Sequence, residues 1–285
     1  RKNQKIYVMI NFKEIGNSKD LENLIYDKHK NIDGLRFAIA PKDLSKFLNI
    51  AKPIIKKYKK LEFNVNMMYL SKWIKDEDLV KKVLKNLSKK IYTLSFVDSH
   101  GALMPEDIKF FLERVKKYKN HDLKFGCHFH NNCGLALANS LIAANSGCEV
   151  VDSTLKGMGR GAGNAETELL LANDQIKNKK ISGFELNNLL EIFEKMKIDM
   201  GWGSSFAYAF AAKNSFPQSE MMDLMQKRRL DPGTAVKAIS NKLTNINHIK
   251  FSNLEKIFSR NQVKNNCPII IGGAPSLCDY GEILN

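Results

Sequence analysis

The sequence predicts an α/β fold in which a parallel sheet of the barrel type precedes a small helical region. Short runs rich in Val, Ile and Phe alternate with longer amphipathic stretches, a pattern typical of repeated β–α units. The runs are apolar throughout, as parallel strands buried on both faces are. After Asn164 the alternation stops and helical segments follow one another.

Six strands are predicted, and a helix follows each of the first five. The strands are expected at residues 6–12, 35–40, 62–69, 92–99, 124–130 and 149–155, and the helices at residues 20–29, 41–59, 76–88, 105–118 and 135–145. Pro105 suits the first turn of a helix, and the acidic Glu106 and Asp107 beside it suit the positive end of the helix dipole. Gly147 ends the fifth helix before the sixth strand begins.

Three regions follow from this pattern. Residues 1–172 are predicted to form the barrel-type domain, residues 173–250 a helical domain and residues 251–285 a tail. Helices of the second region are expected at residues 184–197, 205–214, 220–227 and 232–241. The strand-like run 268–271 in the tail is followed by Gly272 and Gly273, which indicates either the start of a further α/β domain or a docked tail.

The composition limits the class of protein. With 285 residues, of which 44% are hydrophobic, the chain can bury one sizeable core and a smaller appendage. No apolar run is long enough to span a bilayer, so no membrane partner is expected. The five cysteines lack CxxC spacing, which favours reduced thiols and a cytoplasmic protein. The net charge of +15 comes mostly from scattered lysines, so no nucleic-acid partner is expected.

A histidine pair ends the fifth predicted strand. His128 and His130 are two positions apart, so their side chains point to the same face of the strand. Two imidazoles on one face can ligate one metal ion. The alternative is a pair of partly buried histidines that are hydrogen-bonded to neighbours. Because function in parallel barrels lies at the carboxyl ends of the strands, metal binding is the favoured interpretation.

A glycine-rich loop, residues 157–164, follows the sixth strand and precedes a helix. Glycines at alternate positions, among them Gly161 and Gly163, allow backbone N–H groups to approach an anion such as a carboxylate. Asn164 at the end of the loop can add an amide oxygen to a metal ion. The alternative is a flexible connector between strand and helix.

The fourth predicted strand ends at Asp98, and His100 follows in the next loop. Asp98 is a candidate for orienting a metal-ligating histidine. His100 is a candidate for proton transfer, because an imidazole titrates near neutral pH. An ordinary surface histidine explains His100 equally well, and both interpretations stay open.

Several motifs occur together in the order found in one known superfamily. Residues 96–101 (Phe-Val-Asp-Ser-His-Gly), 128–132 (His-Phe-His-Asn-Asn), 134–139 (Gly-Leu-Ala-Leu-Ala-Asn) and 151–165 resemble the DRE-TIM metallolyases, above all the 4-hydroxy-2-oxovalerate aldolase branch. The resemblance implies a TIM (β/α)8-type barrel in which the six predicted strands are strands 3 to 8. The first two strands, and the Asp-x-x-x-Arg-Asp motif of strand one, are then missing.

The resemblance further implies a divalent-metal-dependent aldolase or lyase. Such an enzyme cleaves or forms a C–C bond of a 4-hydroxy-2-oxo acid through a pyruvate enolate, and its partners are a pyruvate-type 2-oxo acid and an aldehyde. The implied cation is Mn²⁺ or Mg²⁺, held by His128, His130 and Asn164 and by the aspartate of strand one. Arg36, His100 and Tyr208 are the expected catalytic residues. Substrate contacts are expected from Asn64, Asn66, Asp98, Thr154, Gly161 and Gly163.

Two other functions stay open. The first is an acyl-CoA-dependent Claisen synthase or lyase of the same superfamily, although no CoA-binding insertion is evident. The second is a non-catalytic barrel fragment, which the absent strand-one motif favours for these residues alone. The full-length protein is therefore the expected enzyme, as a homo-oligomer or with a fused or partner enzyme, and the 285 residues alone are expected to be inactive.

Overall fold

The computed structural model describes residues 4–26, 29–87, 91–118, 123–173, 183–227 and 230–244. The chain divides into a compact unit of residues 1–239 and a second unit of residues 240–285, of which residues 240–244 are described. The strand predicted at residues 268–271 lies outside the described residues, so a further α/β domain remains a prediction.

The described strands form one parallel six-stranded sheet, and their order in the sheet is their order in the chain. They are β1 (Tyr7–Asn11), β2 (Gly34–Ile39), β3 (Glu62–Met67), β4 (Thr93–Asp98), β5 (Lys124–Phe129) and β6 (Val150–Val151). One row of paired residues crosses the whole sheet through Asn11, Ala38, Asn66, Ser95, Gly126 and Val150. All strands therefore end at the same edge.

Helices connect successive strands, as the alternating pattern predicts. They are α1 (Ser18–Ile25), α2 (Leu44–Lys57), α3 (Leu70–Trp73), α4 (Glu77–Leu87), α5 (Pro105–Val115) and α6 (Ala136–Asn145). The apolar face of α4 shows why they pack on the sheet, since Val80, Val83, Leu84 and Leu87 are buried at helical spacing. The short helix α3 was not predicted, because residues 67–73 contain no helix-start signal in the side chains.

The sheet is strongly curved. The guanidinium of Arg36, on β2, lies 2.6 Å from the carboxylate of Asp152, directly after β6. Four inter-strand spacings separate β2 from β6, which is about 19 Å across a flat sheet. Two side chains cannot bridge that distance, so the sheet must curl until the two strands face each other. This curvature is what a barrel requires.

The first strand forms one edge of the described sheet. Val8 and Met9 on β1 are 43% and 51% exposed, whereas every residue of β4 is buried. Exposed apolar side chains on a strand edge are typical of a surface that another strand or chain covers. The absence of two barrel strands remains a prediction.

A second apolar cluster lies beyond the sixth strand. The α-helices described after β6 are α7 (Thr167–Ala172), α8 (Gly183–Met200), α9 (Phe206–Lys213), α10 (Gln218–Met222) and α11 (Pro232–Thr244). The cluster draws on α9, α10 and α11, whereas Leu170 of α7 belongs to the core around the sheet. Ala162 of the glycine-rich loop is buried in this cluster with Ala207, Tyr208 and Ile239. The compact unit of residues 1–239 includes most of these helices, and a separate helical domain that begins at residue 173 stays a prediction. No helix within the described ranges is both long and apolar enough to cross a bilayer.

Candidate active site

A cavity of about 920 Å³ opens at the carboxyl ends of the strands. Because the strands are parallel, the residues that follow them converge on this edge. The three histidines singled out from the sequence all line the cavity: His100, His128 and His130. The structure therefore brings together side chains from two different strand ends.

The histidine pair lies at the end of β5. The rings of His128 and His130 are 5.0 Å apart between centroids and nearly perpendicular, an arrangement in which both can reach one ion. Burial, and then the neighbouring His128, lowers the pKa of His130 to about 3. His130 is therefore neutral at physiological pH, which is the form that ligates a metal.

Asp152 holds one of these histidines. Its Oδ2 lies 3.1 Å from Nδ1 of His128 and 2.6 Å from Nη2 of Arg36, while Oδ1 accepts from Nη1 of Arg36 at 2.9 Å. Burial alone raises the pKa of Asp152, but the hydrogen bonds from His128 and Arg36 outweigh it and lower the pKa to about 2. An ionised Asp152 fixes the proton of His128 on Nδ1 and leaves Nε2 with a lone pair.

Asn164 is joined to the histidine pair through the backbone. Residues His130 and Asn164 form an isolated antiparallel bridge, and the N–H of Asn131 donates to the carbonyl of Gly163 at 2.9 Å. The amide of Asn164 donates to the carbonyl of Met158 at 2.9 Å, which turns its Oδ1 away from that carbonyl. The structure thus groups all three predicted ligands.

The donor atoms suit a divalent cation. Nδ1 of His130 and Oδ1 of Asn164 are buried and have no hydrogen-bond partner among the described residues. Buried acceptors of this kind are costly unless something satisfies them. An imidazole and amide set fits a Mn²⁺-type ion, with carboxylate or water oxygens completing it. Within the described part of the chain, no three His, Cys, Asp or Glu side chains form a metal-binding group by themselves.

His100 has the environment of a proton-transfer residue. Its Nε2 is buried without a partner among the described residues, and its ring lies 5.8 Å from the ring of Tyr69. Burial, followed by the charge of Lys72, lowers the pKa of His100. A neutral imidazole beside the cavity can accept a proton.

Three predicted site residues are held by structural contacts. Nη2 of Arg36 also donates to Oδ1 of Asn66 at 2.9 Å, so the guanidinium is engaged and acts through Asp152 rather than as a free anion contact. Oδ2 of Asp98 accepts from the N–H of Leu103 at 2.9 Å, within its own loop. Asp98 therefore shapes the loop that carries His100, and among the described residues it forms no side-chain hydrogen bond with the histidine pair.

The predicted roles of Gly163 and Tyr208 lack support in the geometry. The N–H of Gly163 donates to the carbonyl of Arg160 at 3.0 Å, so it is not free for a substrate carboxylate. Tyr208 is 2% exposed within the helical cluster and does not line the cavity. The cavity tyrosine is instead Tyr69, which was missed although it follows β3 by two residues.

The remaining residues predicted to contact substrate have different environments. Asn66 lines the cavity, and the buried Oδ1 of Asn64 has no partner in the described part of the chain. The hydroxyl of Thr154 donates to the carbonyl of Met158 at 2.7 Å and fastens the glycine-rich loop. The carbonyl of Gly161 accepts from the N–H of Gly203 at 2.9 Å, which ties this loop to the residues before α9.

Gly163 offers a test of this loop. A Cβ atom there would lie 2.3 Å from the carbonyl oxygen of Gly157, and its φ is +80°. Gly134 is a matched control, because its φ is +73° but its Cβ would meet nothing within 4 Å. Gly134→Ala is expected to lower the free energy of unfolding by about 1–2 kcal/mol. Gly163→Ala is expected to lower it by about 3 kcal/mol or more, since the backbone must also move. Chemical denaturation measures both, and equal effects would contradict the crowded geometry.

These features define an α/β domain whose curved parallel sheet carries a histidine pair and a glycine-rich loop at its strand ends. The chain belongs to the HMGL-like family, whose model matches residues 39–195, more than half of the chain. It is 33% identical to 4-hydroxy-2-oxovalerate aldolase of Carboxydothermus hydrogenoformans over 132 residues. That alignment covers 46% of this chain and 38% of the aldolase.

Two further proteins are similar to this chain, one in sequence and one in structure. Oxaloacetate decarboxylase of Mycobacterium tuberculosis is 36% identical over 104 residues, 36% of this chain and 29% of that protein. The crystal structure of the N-terminal domain of a candidate aldolase from Bacteroides vulgatus superposes with a TM-score of 0.72 at 31% identity, over 83% of this chain and 76% of that one. The chain thus spans well under half the length of the Carboxydothermus aldolase and of the Mycobacterium decarboxylase.

Proposed function

We propose that this chain supplies the catalytic strand ends of a divalent-metal-dependent aldolase, which cleaves or forms a C–C bond of a 4-hydroxy-2-oxo acid. The observation that carries the proposal is the pair His128 and His130 on one face of β5, with Nδ1 of His128 held by Asp152. Relatives named for an aldolase and for a decarboxylase of oxaloacetate support it, because both substrates are 2-oxo acids.

His128, His130 and Asn164 would hold the cation. A bound Mn²⁺ or Mg²⁺ supplies Lewis acidity that stabilises the negative charge of a pyruvate enolate. Asp152 orients His128 for this purpose, and the low pKa of His130 keeps its ring neutral at physiological pH.

His100 is assigned the proton transfer. During cleavage its Nε2 accepts the proton of the 4-hydroxyl group, the electron pair of the C3–C4 bond moves to the 2-oxo acid half, and C4 leaves as an aldehyde. The same proton is then returned to C3, which gives pyruvate. The unpartnered Nε2 at the cavity and the lowered pKa of His100 support this role.

A lysine-based mechanism is the chemical alternative, and Lys156 is the lysine nearest the last strand. Its Nζ lies 2.7 Å from Oε2 of Glu194, and that hydrogen bond raises its pKa. A nucleophilic amine needs the opposite shift, because only the neutral form attacks a carbonyl. The geometry therefore favours the metal mechanism.

Oxalate, a mimic of the pyruvate enolate, separates the two mechanisms. Calorimetric titration of the complete natural protein is expected to show oxalate binding at least about tenfold tighter with Mn²⁺ than without it, a difference of about 1.4 kcal/mol. Malonate, which is one carbon longer, serves as the matched control and should gain less from the metal. Borohydride reduction with pyruvate is expected to trap no lysine adduct. Metal-independent oxalate binding, or an adduct on Lys156, contradicts the proposal.

A further inference from the structure

The cavity wall carries an excess of positive charge. Four basic side chains line it, from Lys13, Lys42, Lys72 and Arg160, and no Asp or Glu is among its lining residues. No carboxylate of the described residues is within salt-bridge distance of any of the four.

The topology explains how the three lysines come together. Lys13 follows the end of β1 by two residues, Lys42 follows β2 by three, and Lys72 follows β3 by five. Because the three strands are adjacent and parallel, the loops that carry these lysines converge on one side of the cavity. The Nζ atoms of Lys13 and Lys72 lie 6.0 and 5.8 Å from the centre of the Tyr69 ring. Two of the three ammonium groups therefore contact the same aromatic ring.

The lysines are on a different side from the histidine pair. They follow the first three strands, whereas His128 and His130 end the fifth. Arg160 lines the cavity from the glycine-rich loop, whose Asn164 forms a backbone bridge with His130. Arg160 can therefore balance the carboxylate of a 2-oxo acid, which leaves the three lysines without an assigned anion. Like charges gathered without counter-charges repel one another, and a bound anion relieves that repulsion.

We propose that the aldehyde half of the substrate carries its own anionic group, best a phosphate, which is bound by Lys13, Lys42 and Lys72. The inference rests on the proposed aldolase function and specifies its second substrate. A 4-hydroxy-2-oxo acid has its carboxylate at C1 and its aldehyde-derived part from C4 onward, so the two ends can reach opposite sides of the cavity. A phosphate dianion matches several ammonium groups better than a neutral aldehyde does.

The test compares two acceptors that differ only in the phosphate. The complete natural protein with Mn²⁺ and pyruvate is offered glyceraldehyde 3-phosphate or glyceraldehyde, and kcat/KM is expected to be at least about 100-fold higher for the phosphate ester. Lys42→Met and Lys13→Met are each expected to lower this preference about tenfold, mainly through KM. Lys52→Met is the matched control, because Lys52 is an exposed lysine of α2 outside the cavity lining.

A binding measurement provides a readout apart from turnover. With Mn²⁺ and oxalate present, glycerol 3-phosphate is expected to bind in calorimetry and glycerol is not, and Lys42→Met should weaken that binding about tenfold. A preference for glyoxylate, which carries a carboxylate, over glyceraldehyde 3-phosphate would overturn the assignment of a phosphate. Equal reaction of both glyceraldehydes, or a requirement for acetyl-CoA, overturns the inference. Failure of oxalate itself to bind with Mn²⁺ would instead refute the proposed function.

Discussion

Replacing His130 by alanine is expected to abolish the binding of Mn²⁺ and, with it, the metal-dependent binding of oxalate. The ring is neutral at physiological pH, borders the cavity and has an unsatisfied Nδ1 in the described structure. The loss should exceed the about 10- to 100-fold effect that is typical of residues that only orient a ligand. Metal content by elemental analysis and affinity by calorimetry measure it.

The metal-free protein provides the internal check on His130→Ala. The metal-free variant should still unfold cooperatively but at a lower thermal midpoint, because the substitution removes a buried ring together with its hydrogen bond to the backbone of Gly163. His29→Ala is the matched control, because His29 precedes β2 at the opposite end of the sheet. A His128→Ala/His130→Ala double variant that retains stoichiometric Mn²⁺ would refute the assignment of the ligands.

Asp152→Asn is expected to weaken both the fold and the binding of metal. The wild-type carboxylate has a pKa of about 2, below its ordinary value of 3.8, so its ionised form stabilises the folded protein. The shift corresponds to a stabilisation on the order of 2 kcal/mol at neutral pH. This contribution is complete above about pH 5 and is lost as the pH falls through about 2, so the wild type and the variant should converge in acid. Denaturant unfolding at several pH values measures the difference, with the exposed Glu113→Gln as control.

The affinity for Mn²⁺ shows whether Asp152 positions His128 or only stabilises the folded protein. Asp152→Asn is expected to lower the affinity for Mn²⁺ about 10- to 100-fold, because Nδ1 of His128 loses the carboxylate that orients the ring. The double variant Arg36→Met/Asp152→Leu removes both charges and should recover much of the stability, as apolar replacements of buried ion pairs do. It should not recover the metal affinity. Parallel recovery of both quantities would mean that Asp152 is structural only.

The sequence predicted the elements of the sheet well and the side-chain network poorly. The alternation of apolar runs with amphipathic stretches located all six strands to within a few residues. The spacing of His128 and His130 predicted that both side chains lie on one face of the strand. The sixth strand is shorter than predicted, because the backbone after Val151 departs into the loop that carries Thr154. Local patterns suffice where one strand determines which way its own residues point.

Contacts between distant segments could not be predicted in this way. The pairing of Arg36 with Asp152 depends on the curvature of the sheet, which no local pattern encodes. Tyr208 was chosen by its position after the barrel, yet burial in the helical cluster removes it from the cavity, and Tyr69 lies there instead. The positions of Lys13, Lys42 and Lys72 soon after strand ends were the available signal for the basic side of the cavity.

The order of the strands also sets the sequence of events when the chain folds. Each strand pairs with the strand that follows it in the chain, so the sheet can grow by local additions at one edge, which favours rapid folding. The link between Arg36 and Asp152 spans 116 residues and can form only after the sixth strand has docked. Interactions that form late are weak in the transition state and act mainly on the rate of unfolding. The network that orients His128 should thus govern how long the native molecule persists, more than how quickly it arises.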